Sequence, residues 1–242
     1  PQAARTGRFA VSEQKDDEQL DFSTVIASTV HDMKNSLGLL MQSYGQLIAH
    51  LPPTADSAAE RGVIEYESMR LNGMLVQMLG LYKLDVNQLP LRPSYLELDD
   101  FLQAQLARHD DILRARSIQG SYEVAEDGLM GFFDGELVGS VVGNVINNAI
   151  RYTRSAIHLA ARMDGDQLLI TISDDGAGYP QAMLDGQSDY VLGINMSTGS
   201  TGLGLYFGQR IAHLHRRNGV TGRIALSNQG VLGGGEFRIW LP

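Results

Sequence analysis

Four short clusters of polar residues and glycines could carry chemistry in this sequence. The first is His31-Asp32-Met33-Lys34-Asn35, where a carboxylate adjoins an imidazole and an amide follows one helical turn later. A neighbouring carboxylate orients an imidazole and raises its basicity, which favours chemistry at His31. The polar flank of a coiled coil has the same composition, so this cluster alone leaves both interpretations open.

The second cluster lies in the apolar segment from Gly143 to Tyr152. Asn144 and Asn148 are four residues apart on one helical face, and Arg151 and Tyr152 follow them. A buried amide is costly unless it is hydrogen-bonded. An amide oxygen also suits magnesium, and arginine suits phosphate. A satisfied core asparagine or a helix cap would explain this cluster equally well.

The other two clusters are rich in glycine. Asp174-Asp175-Gly176-Ala177-Gly178 follows an apolar strand candidate, and its glycines would let the backbone approach a ligand closely. An ordinary Asp-Gly turn is the alternative. Gly199-Ser200-Thr201-Gly202-Leu203-Gly204-Leu205 runs into a helix, whose first N–H groups can bind phosphate. With no strand directly before it and no GK[ST] after it, neither a dinucleotide fold nor a P-loop is predicted.

The His31 cluster is placed on a long helix, predicted from about Val25 to Leu51. Eight apolar residues form one coiled-coil-like seam on it: Ile26, Val30, Met33, Leu37, Leu40, Tyr44, Leu47 and Leu51. After the break at Pro52-Pro53, a second helix is predicted from about Ala58 to Leu84. Such helices form an antiparallel hairpin, which cannot cover both apolar stripes. We therefore expect pairing with a second copy in a dimeric four-helix bundle.

The other three clusters fall in a region that follows a linker over residues 85–93. Helices are predicted over Leu98–Ile112, Gly135–Tyr152 and Thr201–Leu214. Strands are predicted over Gly120–Val124, Leu129–Phe133, Ile157–Ala161, Gln167–Ile172, Ile224–Ser227 and Glu236–Leu241. This mixture predicts an α+β fold, with an α/β sandwich behind the helical hairpin.

Composition excludes several classes of protein. The 242 residues are 43% apolar and include no cysteine, so disulfides, thiolate metal sites and a cysteine nucleophile are excluded. The net charge of −9 disfavours nucleic acid and anionic membranes as partners. No apolar run reaches the roughly 18 residues of a membrane span. Because the chain begins with Pro1, an upstream sensor or membrane region is left open.

Together, in this order and spacing, the clusters resemble the sensor histidine kinases of bacterial two-component signalling. His31–Asn35 resembles the H box, Asn144–Tyr152 the N box, Asp174–Gly178 the G1 box and Gly202–Gly204 the G2 box. The last three resemble the nucleotide site of the gyrase, Hsp90, histidine kinase and MutL superfamily. The resemblance implies an N-terminal linker or helix extension over residues 1–19, a dimerisation and histidine-phosphotransfer domain over 20–88, and a catalytic ATP-binding domain over 89–242.

By this resemblance, His31 is expected to take the γ-phosphate of ATP and pass it to an aspartate of a response regulator receiver domain. Asp32 would hold the other ring nitrogen of His31. Asn35 would place a water that hydrolyses the phosphorylated regulator. The protein would act in the cytoplasm, and tethering of the full-length protein to the inner membrane is left open.

The resemblance also assigns the nucleotide contacts. Asn148 would bind Mg²⁺, Asn144 and Arg151 would contact the phosphates, and Tyr152 would lie beside the adenine. Asp174 would read the adenine amino group. Four glycines would hinge a lid over the nucleotide: Gly176, Gly178, Gly202 and Gly204.

Two departures from the family pattern leave alternatives open. Ser36 stands where many relatives carry proline, and residues 179–201 contain no Lys or Arg, although many relatives have a basic lid residue. A docking phosphotransfer module with weak or no ATP binding is therefore the main alternative. Asn148 and Asp174 argue against it. A Ser/Thr kinase anti-sigma factor has the same nucleotide fold, but the hairpin carrying His31-Asp32 argues against that.

Overall fold

Two long helices open the part of the chain that the structure describes. The structure is a computed structural model and describes residues 22–49, 55–86, 88–185 and 202–242. Helices α1 (Phe22–Ala49) and α2 (Ala55–Asp85) pack side by side, close to the predicted bounds. None of the helices in the described ranges has the length and apolar composition that a membrane span requires.

The apolar seam of α1 divides between two surfaces. Val30 is only 2% exposed, and Leu37 and Tyr44 are half-buried. Three other seam residues are exposed and follow one another at seven-residue spacing: Met33, Leu40 and Leu47. On α2 a matching row at the same spacing is exposed: Ile64, Leu71 and Met78. We call the three exposed residues of α1 and the three of α2 the outer rows. The other two predicted seam positions, the Ile26 side chain and Leu51, lie outside the described residues.

The region after α2 starts with a short strand that the sequence did not indicate. Strand β1 (Ser94–Glu97) pairs antiparallel with β3 (Met130–Phe133). The helix predicted over 98–112 is wrong as a single element, because the chain forms α3 (Leu98–Ala107) and α4 (Asp110–Ala115). The break falls at His109, which leaves helical geometry and bonds through Nδ1 to the Gln105 carbonyl (2.8 Å).

A five-stranded mixed sheet forms the centre of this region, in the order β2-β4-β5-β9-β8. Its strands are β2 (Gln119–Val124), β4 (Ala156–Asp164), β5 (Gln167–Asp174), β8 (Arg223–Ser227) and β9 (Glu236–Leu241). Strands β2 and β4 are parallel, and the other pairs are antiparallel. Helices α3, α5 (Gly135–Tyr152) and α7 (Leu203–Leu214) pack on the sheet around one apolar core. The predicted α+β sandwich is therefore confirmed.

Three short elements complete the described chain: α6 (Gln181–Asp185), β6 (Arg216–Arg217) and β7 (Val220–Thr221). Strands β6 and β7 pair with each other as a small antiparallel ribbon. None of the three was predicted, because elements of two to five residues are too short to show a hydrophobic period.

A buried junction fixes where α5 begins. Asp134 caps the helix by accepting hydrogen bonds from the N–H groups of Glu136 and Leu137 (3.1 and 3.0 Å). The Asp134 N–H donates to Nε2 of His215 (3.0 Å), and Nδ1 of that ring donates to the Ile211 carbonyl (2.9 Å). Burial lowers the pKa of His215 and keeps the ring neutral, as these two bonds require. The junction thereby ties the start of α5 to the end of α7.

Candidate functional site

A cavity of about 430 Å³ lies between α2, α5 and the turns that follow β5 and precede α7. A pocket of this size is ordinary for a small-molecule ligand. Eight of the nine nucleotide residues predicted from the sequence line it: Asn144, Asn148, Arg151, Tyr152, Asp174, Gly178, Gly202 and Gly204. The ninth, Gly176, lies next to the cavity and donates its N–H to Asp174 Oδ1 (2.8 Å). The fold thus brings the three glycine- and amide-bearing clusters together.

Asp174 stands at the end of β5 and is only 9% exposed. Burial raises the pKa of its carboxyl group, and the N–H groups of Gly176 and Gly235 partly offset this. Both of these N–H groups donate to Oδ1 (2.8 and 3.3 Å). Oδ2 is therefore the oxygen that can accept a hydrogen bond from the amino group of a ligand.

The Gly233-Gly234-Gly235 turn lies against Asp174, and its last residue lines the cavity, although the sequence analysis assigned this turn no role. The Gly234 N–H donates to the Asp174 carbonyl (3.1 Å), and the Asp174 N–H donates to the Gly235 carbonyl (2.9 Å). A Cβ at Gly234 would lie 2.5 Å from that Asp174 oxygen, so no side chain fits there. Three consecutive glycines were the signal that could have identified this close approach.

The structure explains why glycine is required at the four predicted positions. Gly178 and Gly202 have φ of 79° and 65°, a backbone region that favours glycine. A Cβ at Gly204 would collide with the Asn144 amide, and one at Gly176 would collide with the Tyr152 carbonyl. The turns can therefore approach α5 only because Gly176 and Gly204 lack side chains, whereas Gly178 and Gly202 are required for their backbone conformation.

Asp175 ties the turn after β5 to the segment that leaves α5. Its carboxylate accepts hydrogen bonds from the main-chain N–H groups of Arg154, Ser155 and Ala156 (2.8, 3.0 and 3.2 Å). The hydroxyl groups of Ser155 and Thr153 also donate to it. Burial raises the pKa of Asp175, but the hydrogen bonds, chiefly those from Ser155 and Thr153, outweigh it and hold the pKa well below its usual range. The sequence analysis included Asp175 in its cluster but assigned it no role.

Two asparagine side chains of α5 face the cavity, and they differ in their surroundings. Gln77 of α2 donates through Nε2 to Asn144 Oδ1 (2.6 Å). The Asn144 Nδ2 group is buried and has no hydrogen-bond partner among the described residues. A buried donor without an acceptor costs free energy, which an oxygen of a bound ligand would relieve. Asn148, one turn further on, is exposed towards the cavity.

Arg151 and Tyr152 stand together at the end of α5. The Arg151 guanidinium lies 5.3 Å from the centre of the Tyr152 ring, and that ring is 52% exposed. An exposed aromatic ring on the cavity rim can stack on a planar ligand.

The residues that line the cavity are compatible with a magnesium ion that is bound mainly through the phosphates of a ligand. The described ranges contain no group of three His, Asp or Glu side chains that could hold a metal by themselves. Mg²⁺ usually keeps several waters and takes few protein ligands in addition to phosphate oxygens. The Asn148 amide oxygen suits that role.

His31 lies apart from the cavity and is not among its lining residues. Its side chain is 63% exposed on α1, and its Nδ1 lies 3.7 Å from Asp32 Oδ1 and 3.2 Å from Asn35 Nδ2. The structure therefore brings the predicted trio together on one helix. It keeps them separate from the cavity residues.

Comparison with known proteins finds relatives of this chain. Residues 133–242 match the family described as "Histidine kinase-, DNA gyrase B-, and HSP90-like ATPase". The chain is 28% identical over 225 residues to the sensor histidine kinase CssS of Bacillus subtilis, covering 88% of this chain and 48% of CssS. It is 25% identical over 236 residues to the alginate biosynthesis sensor protein KinB of Pseudomonas aeruginosa, covering 96% of this chain and 38% of KinB.

These comparisons support a histidine kinase-like, ATP-binding catalytic domain over residues 133–242, in a chain that is similar over most of its length to a sensor histidine kinase. It spans about half the length of CssS and less than half of KinB.

Solved structures agree on the fold. Full-length ShkA in complex with AMPPNP is similar with a TM-score of 0.63 at 17% identity, over 91% of this chain and 46% of ShkA. The catalytic domain of histidine kinase ThkA gives 0.54 at 18% identity, over 62% of this chain and 97% of that domain. Acinetobacter baumannii AdeS gives 0.54 at 18% identity, over 87% of this chain and 96% of that chain.

The Asp175 bonds predict a loss of stability when the carboxylate is replaced. Asp175→Asn keeps the size of the side chain but turns an NH₂ group towards main-chain donors. We expect the free energy of unfolding to fall by about 2 kcal/mol, measured by urea denaturation at pH 7. Asp166→Asn, at an exposed turn residue, is the matched control and should leave stability unchanged. Equal stability of the two variants would contradict the proposed anchoring.

Proposed function

We propose that this chain is an ATP-dependent protein-histidine kinase that autophosphorylates His31 and passes the phosphoryl group to an aspartate of a response regulator receiver domain. The observation that carries the proposal is the cavity, where Asn148, Asp174 and the glycine turns converge around the Asn144 Nδ2 group, which has no hydrogen-bond partner among the described residues. The exposed imidazole of His31, beside a carboxylate, supplies a phosphoacceptor.

The cavity residues divide into a base end and a phosphate end. Asp174 accepts a hydrogen bond from the adenine amino group through Oδ2, and Tyr152 stacks beside the base. Asn144 and Arg151 contact the phosphates, and Asn148 holds magnesium through its amide oxygen. Magnesium neutralises charge on the phosphates when it is bound.

His31 is proposed to react through Nε2, because Asp32 Oδ1 lies 3.7 Å from Nδ1 and would accept the proton of that nitrogen, which leaves Nε2 unprotonated. In this tautomer the Asn35 amide turns its Oδ1 rather than its Nδ2 towards Nδ1. A bond forms between Nε2 and the γ-phosphorus while the bond from that phosphorus to the ADP oxygen breaks. Asp32 stabilises the positive charge that develops on the ring. Since His31 lies outside the cavity lining, the ATP-binding part must move to α1 of its own or a second chain. We propose residues 20–88 and 89–242 as the two parts that move.

The first experiment removes the phosphoacceptor. His31→Gln should abolish label transfer from γ-labelled ATP, while ATP affinity stays within twofold of the unmodified chain, because His31 is not a cavity residue. His213→Gln, at an exposed histidine of α7, is the control and should retain label. The label should be acid-labile and alkali-stable, as phosphohistidine is. Label that persists in His31→Gln would refute the assignment, and an unmodified chain that binds no ATP would favour the docking-module alternative.

The outer rows predict a homodimer. Six exposed apolar residues in two parallel rows are a liability on a monomer, and a second hairpin would cover them in a four-helix bundle. Light scattering should give twice the 26.4 kDa chain mass. Leu40→Glu combined with Leu71→Glu should give the monomer mass. Val231→Glu, at an exposed loop residue outside the rows, should leave the dimer intact. A concentration-independent monomer of the unmodified chain would overturn the bundle.

Asn35 is proposed to serve dephosphorylation of the regulator rather than phosphorylation of His31. It is exposed one turn after His31 and can hold a water in line with an aspartyl phosphate, since an amide carries no charge to compete for the His31 proton. Asn35→Ala should retain most autophosphorylation and lose about 10²-fold in dephosphorylation rate. Both rates are measured on the same protein, with ATP removed before the second. A parallel fall in both rates would assign Asn35 to the kinase step or to stability.

A further inference from the structure

The phosphate end of the cavity needs positive charge, which the expected lid segment does not supply. A triphosphate is recognised through guanidinium, ammonium or metal contacts, and phosphoryl transfer depends on neutralising its charge. Residues 179–201 contain no Lys or Arg. Among the described residues that line the cavity, two carry a positive charge: Arg151 of α5 and Arg70 of α2. Arg70 was not singled out by its sequence context.

Helix α2 forms one wall of the cavity, and Arg70 lies in the middle of that wall. Tyr66, Arg70, Met74 and Gln77 follow one another at helical spacing and all line the cavity. Towards one end, the Tyr66 hydroxyl donates to the Asn147 carbonyl (3.5 Å). Towards the other end, Gln77 donates to Asn144 (2.6 Å). These contacts on either side fix the segment of α2 that carries Arg70, which lines the same cavity as the predicted phosphate contacts of α5.

Charged side chains of both signs surround Tyr66, and three of them are arginines. Burial raises the pKa of the Tyr66 phenol, Arg116 lowers it, Glu67 raises it, and the charges of Arg151 and Arg70 lower it. The Arg116 guanidinium is engaged with the Tyr66 ring (4.4 Å to its centre) and with the Ile150 carbonyl (3.5 Å). Three arginines thus gather where α2 meets α5, in a chain whose net charge is −9.

The Arg70 guanidinium could exchange its present partner, Glu67, for a stronger hydrogen-bond acceptor. It pairs with Glu67 on its own helix (2.8 Å), and the Arg70 side chain is 36% exposed. An exposed pair three residues apart on a helix contributes little free energy. A phosphate offers a guanidinium two parallel charge-assisted hydrogen bonds.

We propose that Arg70, a residue of the helical hairpin, binds the phosphates of ATP in the cavity and supplies the cation that residues 179–201 lack. The proposal rests on ATP as the ligand of the cavity. It also makes the triphosphate a link between the hairpin and the ATP-binding part, so that nucleotide binding stabilises their docked arrangement.

The test measures affinity against the number of phosphates. Adenosine, ADP and AMPPNP are titrated into the full chain by calorimetry in the presence of Mg²⁺. Arg70→Gln should weaken AMPPNP binding about 10-fold, weaken ADP binding less and leave adenosine binding unchanged. Arg114→Gln is the matched control, because Arg114 is an exposed arginine paired with Asp110 and Asp111 on its own helix. It should bind all three ligands like the unmodified chain.

A second variant tests the pairing itself. Glu67→Gln releases Arg70 from its partner and should tighten AMPPNP binding about twofold to threefold. Combined with Arg70→Gln it should have no further effect, since the gain depends on the guanidinium.

Two results would overturn the proposal while leaving the proposed function in place. One is unchanged AMPPNP affinity in Arg70→Gln. The other is an equal loss for adenosine and AMPPNP, which would mean that Arg70 only supports the wall. If the unmodified chain bound none of the three ligands, the Arg70 proposal and the proposed function would both fail.

Discussion

The candidate site depends on the hydrogen bonds of one carboxylate. Asp175 accepts from three consecutive main-chain N–H groups, Arg154 to Ala156, and from the hydroxyls of Thr153 and Ser155. Because Asp175 follows Asp174 directly and Thr153 follows Tyr152, these bonds hold the end of β5 against the end of α5. The bonds therefore fix the distance between the Asp174 carboxylate and the Tyr152 ring, the two groups proposed to contact the base. The low pKa of Asp175 keeps the anchor ionised at every pH where the protein would act.

Helix α5 contributes one face to the apolar core and the other to the polar site. Its apolar face is buried in the sandwich, whereas Asn144 and Asn148 lie on the cavity side. Part of the cost of burying Asn144 is offset by the bond from Gln77, and part remains in its unpartnered Nδ2. The Asp134 cap sets where the helix begins and thus which residues face the cavity. A well-packed apolar residue at position 144 would suit the core better, so the asparagine is best explained by a ligand.

The predictable parts of this protein are those with local signals. The bounds of α5 were predicted correctly, because a capping aspartate precedes an apolar period and Thr153 ends it. The break at His109 was missed, because it depends on a ring contact rather than on Gly or Pro. The cavity residues converge as the family resemblance implied. The sequence analysis assigned no role to Asp175, Gln77 or Arg70. Each of them meets residues that are distant in the sequence, and local spacing does not reveal such contacts.

The arrangement that forms the cavity differs from the one that the proposed transfer to His31 would require. Helix α2 closes the cavity through Tyr66, Arg70 and Gln77, while His31 points from α1 outside the lining. The bond from Gln77 to Asn144 contributes about 1 kcal/mol, and the Tyr66 bond is long at 3.5 Å, so polar contacts alone hold the wall weakly. Phe207 of α7, which packs closely at Gly80 of α2, supplies an apolar contact beyond them. A nucleotide that binds both α2 and α5 would strengthen this docked state, and any signal that rotates α2 would weaken it. In the proposed kinase, control would then lie in the orientation of α2 rather than in the chemistry of His31.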